Sequence, residues 1–143
     1  MILLILNPMG SVHTAVLVDD NEVDLFVQRR FIELSSFAEK VVAYSSPVKA
    51  LEAFGLEEFD DATSLLFLDL NMPVLGGFEF LEKINAQSNP TSRRMKVVIL
   101  SSSNSQADIK RAHEFPNVIK FLSKPLTVEL LQSVTKSLNK LAS

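Results

Sequence analysis

Three acidic residues directly follow apolar segments of the chain, and their carboxylates could bind a metal ion or act as nucleophiles. Asp19 and Asp20 follow residues 15–18 (Ala-Val-Leu-Val), and Asp69 follows residues 65–68 (Leu-Leu-Phe-Leu). Short apolar segments that end abruptly at a polar residue are typical of buried strands in a parallel sheet. Ligands of an open α/β sheet bind outside the carboxyl ends of the strands, where the strand order reverses. The sequence therefore predicts a site at this edge if the two strands are neighbours.

The chemistry of such a site follows from its charge. Carboxylates crowded at one edge repel one another, so the site favours a hard divalent cation. One carboxylate that stays free beside the cation can act as a nucleophile. We therefore expect Asp19, Asp20 and Asp69 to combine cation binding with covalent chemistry.

Five strand patterns alternate with five helix patterns and would position these residues. We predict strands at about 13–18, 40–44, 65–69, 96–100 and 118–121. A helix follows each strand, and the helix starts are marked by Asn21, Ser46-Pro47, Gly76-Gly77, Ser105 and Thr127.

This alternation predicts the fold class. Five β-α units in succession imply a doubly wound, flavodoxin-like parallel sheet with five strands and helices on both faces. Of the two common strand orders, 2-1-3-4-5 places strands one and three side by side, whereas 3-2-1-4-5 separates them. We predict the order 2-1-3-4-5 because it brings Asp19, Asp20 and Asp69 together.

Size, charge and the lack of cysteine limit the classes of function. The 143 residues fit one domain. Without cysteine the chain has no disulfide, thiol nucleophile or thiolate metal site, and this composition is typical of a reducing, cytoplasmic location. A net charge of −3 argues against direct binding of nucleic acid, because phosphate contacts need clustered Lys and Arg.

The first twelve residues are predicted to be an appendage of unknown role, and the main domain is predicted to span residues 13–143. The apolar segment 1–6 is far shorter than the ~20 residues that cross a bilayer, and Asn7-Pro8 interrupts it. It also lacks the basic start of a signal peptide, so we expect no membrane contact. The preferred interpretation is an appendage packed on its own domain or on a neighbouring chain. The alternative is a translation start near Met9.

Four short motifs occur in order, each at the end of a predicted strand. They are residues 17–20 (Leu-Val-Asp-Asp), 67–73 (Phe-Leu-Asp-Leu-Asn-Met-Pro) with Gly77, 99–102 (Ile-Leu-Ser-Ser) and 121–125 (Phe-Leu-Ser-Lys-Pro). In order and spacing, these motifs resemble the receiver domain of two-component response regulators. The resemblance covers about residues 13–141 and rests on all four motifs together, since each alone is weak.

The resemblance implies a role for each polar residue of the predicted site. Asp69 would be the phosphoacceptor, which takes a phosphoryl group from a sensor histidine kinase or a histidine phosphotransfer protein. Asp19, Asp20 and Asp69, with the backbone carbonyl of Asn71, would bind Mg²⁺, with Mn²⁺ as an alternative. Lys124 would place its ammonium group against a phosphoryl oxygen, and the peptide bond that follows it would be cis.

The resemblance also implies a switch. The hydroxyl of Ser101 would donate to a phosphoryl oxygen, and Phe121 would turn into the space that this movement leaves. The surface formed by helix four, strand five and helix five would then change and bind a downstream protein or form a homodimer. In receiver domains, Thr is commoner than Ser at the position of Ser101, and Tyr is common at the position of Phe121. Phe121 has no hydroxyl, so a switch there would work by packing alone. Because Phe121 is an apolar residue at the end of a strand, plain core packing is an equal alternative for it.

We therefore predict a single-domain response regulator that acts by protein contact and is not an enzyme with a separate substrate, although it would promote its own phosphorylation and dephosphorylation. An aspartyl-nucleophile phosphohydrolase is one alternative. That class has an Asp as general acid two residues after the nucleophile, where this chain has Asn71, and it has a cap domain. The other alternative is a receiver-like binding module that is never phosphorylated, against which the complete acidic set argues.

Overall fold

Five parallel strands form one sheet in the computed structural model, which describes residues 12–56, 59, 63–87 and 95–142. The strands are β1 (Val12–Val18), β2 (Ala38–Tyr44), β3 (Ser64–Leu68), β4 (Lys96–Ser101) and β5 (Val118–Ser123). Their order across the sheet is β2-β1-β3-β4-β5, and every neighbouring pair is parallel. The flavodoxin-like fold and the strand order predicted from the sequence are confirmed.

One helix follows each strand within the described residues. The helices are α1 (Glu22–Leu34), α2 (Pro47–Gly55), α3 (Gly77–Ala86), α4 (Gln106–Ala112) and α5 (Val128–Ala142). Side chains cap four of them, as predicted, because each accepts a hydrogen bond from a backbone N–H of the first turn. The capping residues are Asn21, Ser46, Ser105 and Thr127. None of the described helices has the length and apolar character that a membrane span requires.

Alternate strand residues face two separate hydrophobic clusters. Leu17 and Phe67 belong to the cluster that contains the buried residues of α1 and α5, whereas Val18 and Leu68 belong to the cluster that contains those of α2 and α3. Successive side chains of a strand point to opposite faces of the sheet, and helices on both faces bury residues 14–18 of β1 and all of β3. This arrangement explains why residues 15–18 of β1 and 65–68 of β3 are all apolar up to the ends of the strands.

Four strands extend beyond their predicted bounds, β2 and β5 by two residues and β1 and β4 by one, and β3 begins and ends one residue earlier than predicted. β2 begins at Ala38 because Val12 pairs with it, and β5 continues to Ser123 because Ser101 pairs with that residue. These terminal residues have short or polar side chains, so an apolar pattern in the sequence does not include them. Val12, which the sequence analysis assigned to the appendage, is the first residue of β1. The rest of the predicted appendage, residues 1–11, lies outside the described residues.

Candidate functional site

The register of β1 and β3 brings two of the predicted acidic residues together. Val18 and Leu68, the last residues of these strands, are partners in the sheet, and the backbone N–H of Asp69 donates to the carbonyl oxygen of Val18 at 3.0 Å. Carboxylate oxygens of Asp19, Asp20 and Asp69 all lie within 4.8 Å of one another. The structure therefore places all three predicted acidic residues in one cluster. Asp19 and Asp69 are buried, and Asp20 is exposed to solvent.

A tight turn after β3 holds the segment that carries Asp69. The backbone N–H of Gly77 donates to the carbonyl oxygen of Leu70 at 2.9 Å, so α3 begins directly against this turn. A Cβ atom on Gly77 would lie 2.6 Å from the carbonyl oxygen of Asp69, which is closer than real Cβ contacts come. Glycine is thus needed here for close approach. Within the turn, the backbone N–H of Asn71 donates to Oδ1 of Asp69 at 3.4 Å, while its side chain is exposed.

Lys124 enters the acidic cluster from the end of β5. Its backbone N–H donates to the carbonyl oxygen of Ser101 at 2.8 Å, and its peptide bond to Pro125 is cis, as the resemblance implied. Its Nζ lies 2.8 Å from Oδ2 of Asp19 and 3.4 Å from Oδ1 of Asp69. Burial alone would lower the pKa of Lys124, but hydrogen bonds to nearby carboxylates and their charges raise it above its usual value. The side chain of Lys124 therefore stays protonated and carries a positive charge.

Burial makes the carboxylate of Asp69 unusual. Its pKa is raised to about 6, first by desolvation and then by the negative charge of Asp19. The charge of Lys124 and the hydrogen bond from the backbone of Asn71 act in the opposite direction without cancelling this shift. At neutral pH the group is mostly ionised, but its negative charge is less stable in this buried position than it would be in water. A cation bound beside this oxygen would stabilise that charge.

Two polar residues of α1 complete the cluster, and neither was predicted from the sequence. Oδ2 of Asp24 lies 2.8 Å from Nζ of Lys124, and Nε2 of Gln28 donates to Oδ2 of Asp19 at 3.1 Å. Residues four apart lie on the same face of a helix, so both side chains of α1 point toward the cluster. The position of Gln28 in the helix pattern could have indicated its role. Gln28 is the polar member of a buried stripe that it shares with Leu25 and Ile32.

Ser101 and Phe121, the two predicted switch residues, lie on adjacent strands. Ser101 is fully buried at the end of β4, and its Oγ accepts a hydrogen bond from the backbone N–H of Ser103 at 3.0 Å. A hydroxyl that accepts one bond can still donate its own hydrogen. Phe121 is half-buried, pairs with Ile99 in the sheet and packs against the cluster of α2 and α3.

The donor set of the cluster fits Mg²⁺. The cluster of Asp19, Asp20 and Asp69 offers carboxylate oxygens only, the hard ligands that Mg²⁺ binds. Mg²⁺ takes few carboxylates and keeps several waters, and the exposed Asp20 leaves one side of the cluster open to solvent. Burial, and after it the negative charge of Asp19, raises the pKa of Asp69, and a cation in the cluster would act against both. The arrangement can therefore hold a cation while a buried carboxylate stays beside it.

Comparison with known sequences identifies the family. Residues 15–136 match the family described as response regulator receiver domain. Among curated relatives, the two-component response regulator ARR3 of Arabidopsis thaliana is 36% identical over 127 residues, which cover 83% of this chain and 53% of that protein. The chain thus spans about half the length of this relative.

Solved structures agree with this match. A response regulator receiver protein from Dyadobacter fermentans superimposes with a TM-score of 0.76 at 28% identity, covering 90% of this chain and 98% of that one. The receiver domain of sensor histidine kinase PA1611 from Pseudomonas aeruginosa has a TM-score of 0.71 at 22% identity and covers 90% of this chain and 99% of that one. Its structure is described with a magnesium ion coordinated in the active site cleft. The chain therefore belongs to the response regulator receiver domain family of two-component signal transduction.

Proposed function

We propose that this chain is a phosphorylation-dependent signalling switch whose phosphoacceptor is Asp69. One observation carries the proposal: the buried carboxylate of Asp69 lies within 4.8 Å of two further carboxylates and 3.4 Å from the ammonium group of Lys124. Phosphoryl transfer depends mostly on positioning and on charge neutralisation, and this arrangement offers both around a single oxygen nucleophile.

The donor would be the phosphohistidine of a sensor histidine kinase or of a histidine phosphotransfer protein. A carboxylate oxygen of Asp69 attacks the phosphorus, so that an O–P bond forms as the P–N bond to the imidazole breaks. The electron pair of the P–N bond stays on the imidazole nitrogen, and the ring leaves neutral when its other nitrogen carries a proton. Lys124 stabilises negative charge on the phosphoryl oxygens through a charge-assisted hydrogen bond. Reaction with water later releases phosphate and restores Asp69.

Asp19, Asp20 and Asp69, with the backbone carbonyl of Asn71, are the residues that would hold Mg²⁺, or Mn²⁺ in its place. When bound, the ion neutralises charge on the transferring phosphoryl group. The oxygen-only donor set and the magnesium ion described for the PA1611 receiver domain support this assignment. Gln28 fixes one oxygen of Asp19, and the backbone N–H of Asn21 donates to the other at 2.9 Å, so this ligand is held in place before a cation arrives.

Phosphorylation would be reported by Ser101 and Phe121. The buried hydroxyl of Ser101 would turn to donate its hydrogen to a phosphoryl oxygen, while its Oγ continues to accept from the backbone N–H of Ser103. The loop that precedes α4 would follow, and Phe121 would change its packing. The surface of α4, β5 and α5 would then bind a downstream protein or a second copy of the chain. Coupling energies of about 1–3 kcal/mol are typical of such two-state switches.

The test is intact-protein mass spectrometry after incubation with acetyl phosphate and Mg²⁺. We expect one labile phosphoryl group on the native chain, none on Asp69→Asn, and one on the control Asp108→Asn, whose carboxylate lies on α4. A native chain that stays unmodified at every Mg²⁺ concentration would contradict the proposal and favour an unphosphorylated binding module. Steady release of phosphate from many donors would favour a phosphohydrolase.

A further inference from the structure

The ammonium group of Lys124 has three hydrogens to donate, and carboxylates occupy its surroundings. Among the described residues its Nζ lies 2.8 Å from Oδ2 of Asp19, 2.8 Å from Oδ2 of Asp24 and 3.4 Å from Oδ1 of Asp69. The contact with Asp69 is the longest of the three. In this state Lys124 is thus held closer to β1 and α1 than to the proposed phosphoacceptor.

We propose that Asp24 is a positioning residue that retains Lys124 and thereby slows phosphorylation of Asp69. This inference rests on the proposed function. For Lys124 to donate to a phosphoryl oxygen, one of its three ammonium hydrogens must first break its contact with a carboxylate. Asp24 is outside the proposed cation site. Of the three contacts of Lys124, the one with Asp24 is therefore the one that phosphoryl transfer does not require. While Asp24 keeps the ammonium group, it competes with the phosphoryl group for it.

Burial indicates which contact gives way. The side chain of Asp24 is 37% exposed, whereas those of Asp19 and Asp69 are 1% and 4% exposed. Water can replace the ammonium group at Asp24, but at the two buried carboxylates the same loss would leave a charge with less compensation. A cavity of about 50 Å³, lined by Asp24, Gln28, Lys124 and Pro125 among others, lies beside the pair. It is large enough for a water molecule.

The backbone keeps Asp24 in place while its partner moves. Asp24 belongs to the first turn of α1, and its backbone N–H donates to Oδ1 of the capping residue Asn21 at 3.0 Å. Lys124, in contrast, reaches the cluster through a long side chain with four methylene groups. The flexible partner therefore moves, and Asp24 stays as a fixed competitor that lowers the rate of transfer.

The chain offers a matched control. Glu22 lies in the same first turn of α1, is exposed and has no ion pair with Lys124 within the described part of the chain. Glu22→Gln removes one negative charge near the site, as Asp24→Asn does, but leaves the contact with Lys124 intact. A comparison of the two variants therefore separates the specific contact from the general effect of charge on an anionic donor.

The first experiment measures the initial rate of phosphorylation by acetyl phosphate at saturating Mg²⁺. We expect Asp24→Asn to react about three- to tenfold faster than Glu22→Gln, the range for loss of a partly exposed charge-assisted hydrogen bond. Asp24→Glu, which keeps the charge, should return to within about twofold of the native rate. In a Lys124→Gln background, Asp24→Asn should have no further effect, because the effect passes through Lys124. Equal rates for Asp24→Asn and Glu22→Gln, or the same acceleration without Lys124, would overturn the inference.

A second readout does not depend on phosphorylation. The ammonium protons of Lys124 in ¹⁵N-lysine-labelled, metal-free protein should exchange with water severalfold faster in Asp24→Asn than in Glu22→Gln. Unchanged exchange would show that Asp24 does not retain Lys124 and would overturn the inference even if the native chain is phosphorylated. If the native chain takes no phosphoryl group while exchange does accelerate, the contact is real, but the proposed function and the claimed effect on rate both fail.

Discussion

Gln28 donates a hydrogen bond from Nε2 to Oδ2 of Asp19 at 3.1 Å, and both side chains are almost fully buried. The bond links the buried stripe of α1 to the carboxyl end of β1. It satisfies an oxygen that also contacts the ammonium group of Lys124. A neutral amide therefore supports the acidic cluster without adding a charge, and it holds a proposed cation ligand in one orientation.

Replacement of Gln28 should destabilise the fold. Gln28→Leu keeps a similar volume but leaves the buried carboxylate of Asp19 without this donor. We expect a loss of about 1–3 kcal/mol in the free energy of unfolding, measured by urea denaturation. The same change at the exposed Gln106 should alter stability by less than about 0.5 kcal/mol. Equal effects of the two substitutions would show that the hydrogen bond between Gln28 and Asp19 does not stabilise the fold.

Removal of the charge of Asp69 should stabilise the metal-free protein near neutral pH. The pKa of Asp69 is raised from 3.8 to about 6 in the folded state, so the unfolded chain ionises first and native stability falls as pH rises between these values. Above about pH 6 the cost is constant. In EDTA at pH 7.5 we expect Asp69→Asn to raise the free energy of unfolding by about 1–3 kcal/mol.

The same comparison at lower pH checks the cause of this effect. Near pH 4 the carboxyl group of Asp69 is protonated in the folded state, so the advantage of Asp69→Asn should shrink toward zero. Glu129→Gln, at an exposed position of α5, serves as a control with no expected change at either pH. A variant that is less stable than the native chain at pH 7.5, or an advantage that persists at pH 4, would contradict the assigned shift.

Magnesium should stabilise the native chain through the acidic cluster. A ligand that binds only the folded state at a hundredfold excess over its dissociation constant adds about 2.7 kcal/mol. We therefore expect Mg²⁺ to raise the melting temperature and EDTA to reverse the change. Asp20→Asn should weaken the response because it removes a carboxylate that lies beside Asp69. Glu39→Gln, at an exposed position of β2, should respond as the native chain does, and identical behaviour of all three proteins would place the cation elsewhere.

Gly77 should not tolerate a side chain. Its substitution by Ala would bring a Cβ atom to 2.6 Å from the backbone oxygen of Asp69 and 2.7 Å from Cα of Leu70. Because backbone atoms cannot give way like the end of a side chain, we expect a loss of about 1–3 kcal/mol in stability. Gly55→Ala is the matched control. Nothing lies within 4 Å of a Cβ atom there, so thermal unfolding should show no loss, or a small gain from the helical propensity of Ala.

The sequence predicted those parts of the structure that depend on neighbouring residues or on general rules of chain topology. The apolar segments that end at Asp19 and Asp69 predicted two buried strands, since the place of a side chain along a strand depends on local backbone geometry. The handedness of β-α-β units leaves few strand orders, and a common site for the carboxylates selected the observed one. The side chains that begin four helices were equally readable, because a cap bonds only to its own first turn.

Only the tertiary structure decided which side chains complete the cluster. Asp24 and Lys124 are separated by 100 residues, and their contact depends on the rotation of α1 about its axis and on where β5 ends. The bond between Gln28 and Asp19 depends on the same rotation. Packing of α1 against the sheet sets these angles, and that packing sums many weak contacts from distant parts of the chain. A pattern of residue types therefore locates the acidic cluster, whereas the partners that orient it appear only when the helices are in place.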